Sequence, residues 1–350
     1  MTTVDFVQSE KAENGVAEIL ARCRQLVEPT LRDAIAQLHP WAGRMATFTF
    51  GWAEADGTPR TDRAGKGLRP ALALLCAQAV GAPATAAVPG AAAVELVHAF
   101  SLVHDDIMDG DEQRRHRQTV WKAYGVGPAV LTGDALLALA MSTLAQGGGA
   151  HAIAALEPLA TALIDLVHGQ AEDVAFEDRP WDGPDAVTVD EYHAMAAHKT
   201  GALLGCAAAV GALLGGGPPQ VADAMQDMGR HLGVAFQAID DVLGIWGDPQ
   251  ITGKPVFNDL RQGKKTLPLV AVLDDVGAEL ADLLAGRPDD ADTLRQAANL
   301  ISEAGGRSFA QSQADLHLEH ALRIIETAEL KERAADELAT LARFLIDRTH

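Results

Sequence analysis

The chain has 350 residues, of which 48% are hydrophobic, 5% are aromatic and 22% are charged. This composition excludes a disordered or low-complexity chain, because it provides enough apolar surface for a large core. Acidic residues outnumber basic ones, 48 against 28, and the formal charge of −20 opposes binding to nucleic acids or anionic membranes through a general basic field.

The predicted elements are helices. Alanine makes up roughly a fifth of the chain whereas Tyr and Trp are scarce, a balance that favours helices over sheets. Apolar residues recur at helical spacing from about Glu10 to Gln37, behind a predicted flexible N-terminal tail over residues 1–13. Almost no alternation typical of strands is present. Further helical patterns cover residues 71–80, 91–109, 128–146, 152–171, 189–214, 219–246 and 330–346.

The domain organisation follows from the absence of a Pro/Ser-rich linker. We therefore expect a single large all-α domain over residues 1–350 rather than two domains. The least polar stretch, Gly201 to Gly217, is shorter than the roughly 20 residues of a membrane span, so it predicts a close-packed core helix and no membrane span. The three cysteines are isolated among apolar residues, which fits buried thiols in a reducing compartment, and we expect a cytoplasmic protein.

One predicted helix ends in a cluster of acids. Asp105, Asp106 and Asp109 follow an apolar run, and a helix places Asp105 and Asp109 one turn apart on the same face. Such a pair is repulsive unless a cation neutralises it, and Mg²⁺ typically takes one or two carboxylates together with phosphate oxygens and water. The pattern therefore suggests a magnesium site, although a solvated helix end is the simpler interpretation of one such cluster alone.

A second acid cluster repeats the pattern in the other half of the chain. Asp240 and Asp241 again follow apolar residues, but Gly244 stands at the position of the third carboxylate. Arg and Lys contact phosphates directly, whereas carboxylates reach them only through a metal. Acid clusters beside basic ones thus suggest a metal-bridged diphosphate. The basic residues that follow the two clusters are Arg114, Arg115, Lys254, Lys264 and Lys265.

From about Gly65 to Pro268 the sequence resembles the trans-isoprenyl diphosphate (polyprenyl) synthases, and among them the short-chain geranylgeranyl and farnesyl diphosphate synthases. The resemblance is specific because many motifs occur in the family's order. It implies an isoprenoid synthase fold, a bundle of antiparallel helices around a central apolar tunnel. The motifs are AGKGLRP, ELVHAFSLVHDD, DDIMDGDEQRR, GQAED, HKTGALL, GVAFQAIDDVLG and TGKPVFNDLRQGKKTLP.

The resemblance also implies a reaction. An allylic diphosphate, held between the acid clusters by three Mg²⁺, would ionise and be attacked by isopentenyl diphosphate, giving a chain five carbons longer. The implied catalytic residues are Asp105, Asp106, Asp109, Asp240, Asp241 and Lys199. The implied metal ligands are Asp105, Asp109 and Asp240, supported by Asp106, Asp241 and Gln170. The residues implied for the allylic diphosphate are Arg114, Lys199, Thr200, Gln237 and Lys254. Those implied for isopentenyl diphosphate are Lys66, Arg69, His98 and Arg115. A homodimer is implied as well.

Three positions depart from the family pattern. Gly244 replaces the third aspartate of the second cluster, so the third metal would rest on Asp240 and Asp241, with water or Asp248. Gly67 replaces a basic residue, and Trp121 stands where the family often has His.

Product length should depend on the residues below the first cluster. Phe100 and Ser101 lie five and four residues before Asp105, about 6 to 7.5 Å along the helix axis at about 1.5 Å per residue. Phe100 would block very long chains, and similarity favours geranylgeranyl diphosphate (C20) over farnesyl diphosphate (C15). The alternatives are a terpene cyclase on the same fold, a catalytically silent partner subunit and a helical scaffold. A cyclase has no need for the residues implied for isopentenyl diphosphate.

Overall fold

The computed structural model describes residues 3–60, 67–114, 116–249 and 255–346, with side chains described from Gly15 onward. These residues are mostly helical, which confirms the all-α class. The helices are α1 (Thr3–Ile35), α2 (Pro40–Thr49), α3 (Leu68–Ala79), α4 (Val88–Met108), α5 (Val120–Tyr124), α6 (Val126–Gly147), α7 (Ala152–Glu177), α8 (Val189–Ala196), α9 (Ala202–Leu214), α10 (Pro219–Trp246), α11 (Asn258–Gln262), α12 (Leu267–Val270), α13 (Leu273–Leu284), α14 (Ala291–Glu303), α15 (Gly306–Thr327) and α16 (Glu332–Ile346).

Three of the differences between the structure and the sequence prediction concern the N-terminus, the first acid cluster and the helix over residues 189–214. Helix α1 begins at Thr3, so most of the predicted tail is helical, in keeping with its helix-forming Glu, Lys and Ala residues. A hairpin of β1 (Gln113–Arg114) and β2 (Arg117–Gln118) follows the first acid cluster, and its strands are too short to show alternation. The predicted helix over residues 189–214 is interrupted by a π-helical turn at Ala197–Gly201.

The chain divides into two compact units. The first comprises Met1–Thr161, Cys206–Gln226 and Ile324–Leu341, and the second comprises Ala162–Gly205, Asp227–Arg323 and Ala342–His350. The first unit contains the acid cluster of α4, and the second contains the acid cluster of α10. That the two units form a single domain stays a prediction.

Close helix packing in the first unit depends on small residues. A Cβ added to Gly90 of α4 would lie 2.3 Å from Cγ1 of Val210, and one added to Gly211 would lie 2.1 Å from the carbonyl oxygen of Ala73. Such distances are below any real contact, so α3 and α4 approach α9 as closely as they do only because these side chains are absent. This packing confirms the predicted core helix.

Close packing around the π-helical turn of the second unit also depends on glycines. A Cβ at Gly169 of α7 would lie 2.3 Å from the backbone nitrogen of Lys199, and one at Gly233 of α10 would lie 2.4 Å from the Cα of Gly201. Both α7 and α10 therefore pack directly against the backbone of the turn. An apolar cluster of the second unit includes Ile245 and Leu260 together with leucines of α12, α13 and α14.

Within the described part of the chain, four helical segments are long and apolar enough to cross a membrane by length and composition alone: Ala84–Met108, Val126–Gly147, Gly149–Glu177 and Val189–Leu214. The last is also the most deeply buried, with 78% of its apolar window inside the protein. A buried core helix and a membrane span share this composition, so the expectation of no span stays a prediction.

Candidate active site

The first acid cluster lies at the end of α4. Asp106 is 4% exposed and its Oδ1 accepts a hydrogen bond of 2.7 Å from Nε of Arg114, whereas Asp105 and Asp109 are partly exposed. Burial alone would lower the pKa of Arg114, but the nearby carboxylates of Asp106, Asp105 and Asp111 outweigh burial and raise it. The two outward carboxylates, one turn apart, are the ones that can reach a bound cation.

The hairpin after α4 fixes the position of Arg114. In the antiparallel ladder Arg114 pairs with Arg117. The guanidinium of Arg117 donates to the carbonyl oxygens of Phe48 at 3.2 Å and Ala53 at 3.1 Å, which ties the hairpin to the segment after α2. Arg114 is therefore held on a short but anchored strand.

Trp121 has a structural role in the same region. Its Nε1 donates to the carbonyl oxygen of Asp111 at 2.9 Å, and Oγ1 of Thr119 donates to the same oxygen at 2.8 Å. Both bonds fasten the loop that connects the acid cluster to the hairpin. Trp121 thus gives the loop a support of its own at the position where the family often has His.

Two residues predicted to bind isopentenyl diphosphate are in contact. Nη1 of Arg69 lies 3.1 Å from Nε2 of His98, which joins the start of α3 to α4. Gly67 caps α3 with φ of 67° and ψ of 35°, a left-handed conformation that costs other residues about 1 kcal/mol or more. This conformation explains why a basic residue is unfavourable at position 67.

The residues predicted to limit chain length lie one turn before the acid cluster on α4. The ring of Phe100 packs edge-on against His104 with centroids 4.9 Å apart. Nε2 of His104 lies 3.1 Å from the carbonyl oxygen of Val130, and a Cβ at Gly133 would collide with the imidazole at 2.1 Å. Phe100 is therefore backed by a histidine that α6 holds in place. Oγ of Ser101 donates to the carbonyl oxygen of His98 at 3.0 Å.

The second acid cluster lies near the end of α10. Asp241 is 4% exposed and its carboxylate accepts three hydrogen bonds, from the hydroxyl of Tyr192, from the backbone N–H of Leu267 at 2.7 Å and from Nε2 of Gln237 at 2.9 Å. Burial nevertheless raises the pKa of Asp241 to about 7. Asp240 is partly exposed. As in the first cluster, one carboxylate of the pair is turned inward and the other outward.

A chain of contacts links Asp241 to the π-helical turn. Oε1 of Gln237, whose amide nitrogen binds Asp241, accepts a hydrogen bond of 2.5 Å from Oγ1 of Thr200. The neighbouring Lys199 forms an ion pair with Asp173 of α7. Since π-helical turns present side chains in directions that a regular helix does not, the turn sets where Lys199 points.

One basic residue after the second cluster is not available to a diphosphate. Lys265 is 4% exposed, and its ammonium lies 3.0 Å from the ring centroid of Trp181. Burial lowers the pKa of Lys265 to about 8. Its charge is therefore used inside the protein, by a cation–π contact with Trp181.

Three predicted site residues, Lys66, Arg115 and Lys254, lie outside the described residues. Gln170 of α7 is described, and its buried Nε2 has no hydrogen-bond partner within the described part of the chain. This amide is thus available to an acceptor that is not a described protein atom.

The chain is similar to proteins of known family in both sequence and fold. The family model for polyprenyl synthetase matches residues 58–301. A (2E,6E)-farnesyl diphosphate synthase of Mycobacterium bovis is 42% identical over 97% of this chain and 95% of its own length. A geranylgeranyl diphosphate synthase of Mycobacterium tuberculosis is also 42% identical, over 92% of each chain. The crystal structure of a polyprenyl synthetase from Streptomyces coelicolor superposes with a TM-score of 0.87 and 44% identity, over 95% of this chain and 99% of that one.

The chain belongs to the polyprenyl synthetase family. It is accordingly a prenyltransferase, and the resemblance inferred from its motifs is confirmed. The similar relatives include both farnesyl and geranylgeranyl synthases, so membership fixes the type of reaction and not the length of the product.

The donor set of this prenyltransferase fits Mg²⁺ that binds together with substrate. Among the described residues, no group of three or more His, Cys, Asp or Glu side chains is assembled to hold a metal by itself. Mg²⁺ does not need such a group, because one or two carboxylates with phosphate oxygens and water complete its coordination. Asp105 with Asp109, and Asp240 in the other unit, are carboxylates of this kind.

Sequence reasoning missed three residues of the second unit that shape this site. Tyr192 binds Asp241, Asp173 pairs with Lys199, and the carboxylate of Asp259 lies beside Gly244. Each reaches the site through tertiary contact from another element, so no spacing within the sequence could reveal it. A signal did exist for Asp173, which ends the GQAED motif, and for Asp259, which lies within TGKPVFNDLRQGKKTLP.

Proposed function

We propose that the protein is a Mg²⁺-dependent synthase that condenses an allylic diphosphate with isopentenyl diphosphate and makes geranylgeranyl diphosphate. The observation that carries this proposal is the shared design of the two acid clusters. In each, the second aspartate is buried and bound by the protein, and the first is left partly exposed to reach a cation. Farnesyl diphosphate is the alternative product.

The residues of each cluster have a defined part in the proposed reaction. Asp105 and Asp109 would hold Mg²⁺ in the first unit and Asp240 would hold it in the second, with Asp106 and Asp241 fixing the helix ends. When bound, Mg²⁺ neutralises the negative charge that develops on the departing diphosphate. Arg114 in the first unit and Lys199 in the second are the proposed sources of positive charge toward diphosphate. The family resemblance implies three Mg²⁺ per active site, and this number is part of the proposal.

The proposed reaction balances without a further reactant. The bond between C1 and oxygen of the allylic diphosphate breaks and leaves an allylic cation with inorganic diphosphate. The double bond of isopentenyl diphosphate attacks C1, a new carbon–carbon bond forms, and a proton leaves C2 to restore a double bond. The departing diphosphate is the nearest base that the substrates themselves provide.

The contact between Arg69 and His98 favours condensation over cyclisation. Only a condensing enzyme needs a second diphosphate site, and these two residues are brought together at 3.1 Å although they are 29 positions apart. With Lys66 and Arg115 they form the proposed site for isopentenyl diphosphate. A terpene cyclase would not require this pair.

Substrate consumption tests the proposal directly. The protein is incubated with radiolabelled isopentenyl diphosphate and dimethylallyl, geranyl or farnesyl diphosphate, with Mg²⁺ or with EDTA, and products are sized by chromatography. We expect Mg²⁺-dependent consumption and a C20 product. Release of diphosphate from the allylic substrate without consumption of isopentenyl diphosphate would identify a cyclase, and no reaction with any starter would identify a silent subunit.

Product length has its own test at Phe100. Its ring is supported by His104, so it presents a rigid obstacle below the first cluster. We expect Phe100→Ala to yield products longer than C20, while Phe100→Tyr, which keeps the bulk, retains the wild-type length. Unchanged products from Phe100→Ala would exclude Phe100 as the limit to chain growth.

We also propose that the protein is a cytoplasmic homodimer. Exposed Val126, Val130 and Leu131 on α6 favour burial against a second copy, and the described cysteines are free and buried, as in a reducing compartment. Analytical ultracentrifugation should give twice the chain mass of 36.8 kDa. The Leu131→Arg variant should shift the protein to the monomer, and fractionation should recover the native protein without membranes.

A further inference from the structure

Gly244 stands one turn after Asp240 on α10, where the second acid cluster would have its third aspartate. An ideal Cβ at position 244 would lie 1.9 Å from Oδ2 and 3.0 Å from Oδ1 of Asp259. Atoms do not approach that closely, so the two side chains cannot share the space. The carboxylate of Asp259 fills the volume that a side chain at position 244 would occupy.

The backbone holds Asp259 in this place. Asp259 lies on α11, whose first residue follows Phe257, and the backbone N–H of Phe257 donates to the carbonyl oxygen of Ile245 on α10 at 3.1 Å. The carbonyl oxygen of Asp259 accepts from the N–H of Lys264 at 2.9 Å, and the next residue, Leu260, is completely buried. These contacts join α11 to the end of α10, so the position of Asp259 does not depend on its own side chain.

The electrostatics agree with the geometry. Burial is the largest cause of the raised pKa of Asp241, and the charge of Asp259 adds to it. The same charge contributes to the raised pKa of Tyr192. Asp259 therefore adds negative charge to the second acid cluster although it belongs to a different helix.

The other carboxylates near the cluster are less suited to this position. Asp241 is 4% exposed and both of its oxygens accept hydrogen bonds from the protein, whereas Asp259 is only partly buried and its Oδ1 accepts a weak bond of 3.5 Å from Asn258. Asp248 lies four residues beyond Gly244, past the end of α10 at Trp246, and is exposed. Only Asp259 among them has its carboxylate against Gly244, on the face that also carries Asp240.

We propose that Asp259 takes the place of the missing third aspartate, so that α11 rather than α10 completes the second acid cluster toward a Mg²⁺-bound diphosphate. This inference rests on the proposed function, since it concerns the same metal-dependent site. The glycine is then required: it is the residue that leaves room for a carboxylate from elsewhere.

Metal binding without turnover tests this assignment. Mn²⁺, which prefers the same oxygen ligands as Mg²⁺, is titrated into the whole protein with inorganic pyrophosphate and followed by electron paramagnetic resonance. The variants are Asp259→Asn, Asp259→Ala and the double variant Gly244→Asp/Asp259→Ala, with Asp282→Asn as an exposed control of the same charge. Thermal unfolding establishes that each variant is folded.

We expect Asp259→Asn and Asp259→Ala to weaken Mn²⁺ binding on the order of tenfold, as loss of a group that supports a metal site does. The control should bind as the wild type does. The double variant should recover most of the lost affinity, because its aspartate occupies the volume that Asp259→Ala vacates.

Two results would overturn the inference: wild-type affinity in Asp259→Asn, or a folded double variant that binds no better than Asp259→Ala. If either alanine variant fails to fold, the nearly isosteric Asp259→Asn decides the question alone. Failure of the wild type to bind Mn²⁺ with pyrophosphate would instead reject the proposed function.

Discussion

The two acid clusters have nearly the same sequence and are supported differently. Asp106 in the first is bound by the Arg114 guanidinium on a hairpin, whereas Asp241 in the second is bound by three donors from three helices. The first cluster keeps its third carboxylate, Asp109, on its own helix. In each pair one aspartate is an anchor bound inside the protein and the other, partly exposed, is the proposed ligand. The anchor depends on its surroundings rather than on the motif.

The largest expected effect separates ligand from anchor. We expect Asp105→Asn and Asp240→Asn each to lower kcat/KM by about 10² to 10³, because each removes charge that the transition state requires. The Asp240 variant should lose at least as much as the Asp105 variant, since Gly244 stands one turn after Asp240 where the first cluster has Asp109. Steady-state kinetics with isopentenyl and farnesyl diphosphates measures both. Near-normal activity in either variant would reverse the assignment of ligand and anchor.

Stability should distinguish the two anchors. Asp241→Ala leaves the N–H of Leu267 and the hydroxyl of Tyr192 buried without an acceptor, and we expect a loss of about 3 kcal/mol in the free energy of unfolding. Asp106→Ala removes the acceptor of Arg114, whose side chain is 29% exposed and can be hydrated, and should cost about 1 to 2 kcal/mol. Urea denaturation gives both values. A larger loss of stability in Asp106→Ala than in Asp241→Ala would show that the hairpin depends on Asp106 more strongly than the second unit depends on Asp241.

Acid should lower the stability of the second unit selectively, because this unit contains packed histidines. Nδ1 of His317 lies 2.8 Å from Nδ1 of His231, with His193 and His320 in ring contact nearby. Burial, and then the neighbouring histidines, lower the pKa of His317 to about 4. Between about pH 6.5 and 4 the unfolded chain therefore binds a proton that the folded protein rejects, so stability falls as pH falls.

We expect this loss to be on the order of 2 kcal/mol across that window. Asp190 and Asp227, which favour the charged forms of His193 and His231, keep it from being larger. His317→Gln should flatten the pH dependence, whereas His151→Gln, at an exposed position of the first unit, should not. Urea denaturation at several pH values tests this, and an unchanged slope in His317→Gln would contradict it.

The smallest expected effect concerns Tyr192, one of the three partners of Asp241. Tyr192→Phe removes one hydrogen bond and leaves the ring buried, so we expect a loss of about 1 kcal/mol. Turnover should fall only a few-fold, because Gln237 and Leu267 still hold the carboxylate. A loss equal to that of Asp241→Ala would show that Tyr192 is the main support of the anchor.

The helical class, the two acid clusters and the pairing of Arg69 with His98 could be predicted because they depend on periodicity and on motif order. Tertiary contacts could not. The sequence predicts a helix across residues 189–214, and nothing in its apolar pattern marks the π-helical turn that carries Lys199 and Thr200. Likewise, the sequence indicates that Gly244 removes the third carboxylate of the second acid cluster, and only the structure shows the carboxylate of Asp259 beside it.

The π-helical turn also constrains how this chain can change. Such a turn amounts to one extra residue in an α-helix, and each residue advances a helix by about 100° around its axis. Deleting a single residue between Val189 and Lys199 would yield a more regular helix and yet turn Lys199 away from Asp173 of α7. Among related chains, the length of this segment should therefore vary far less than its amino-acid identities. Deletions that would make the helix regular should not be tolerated.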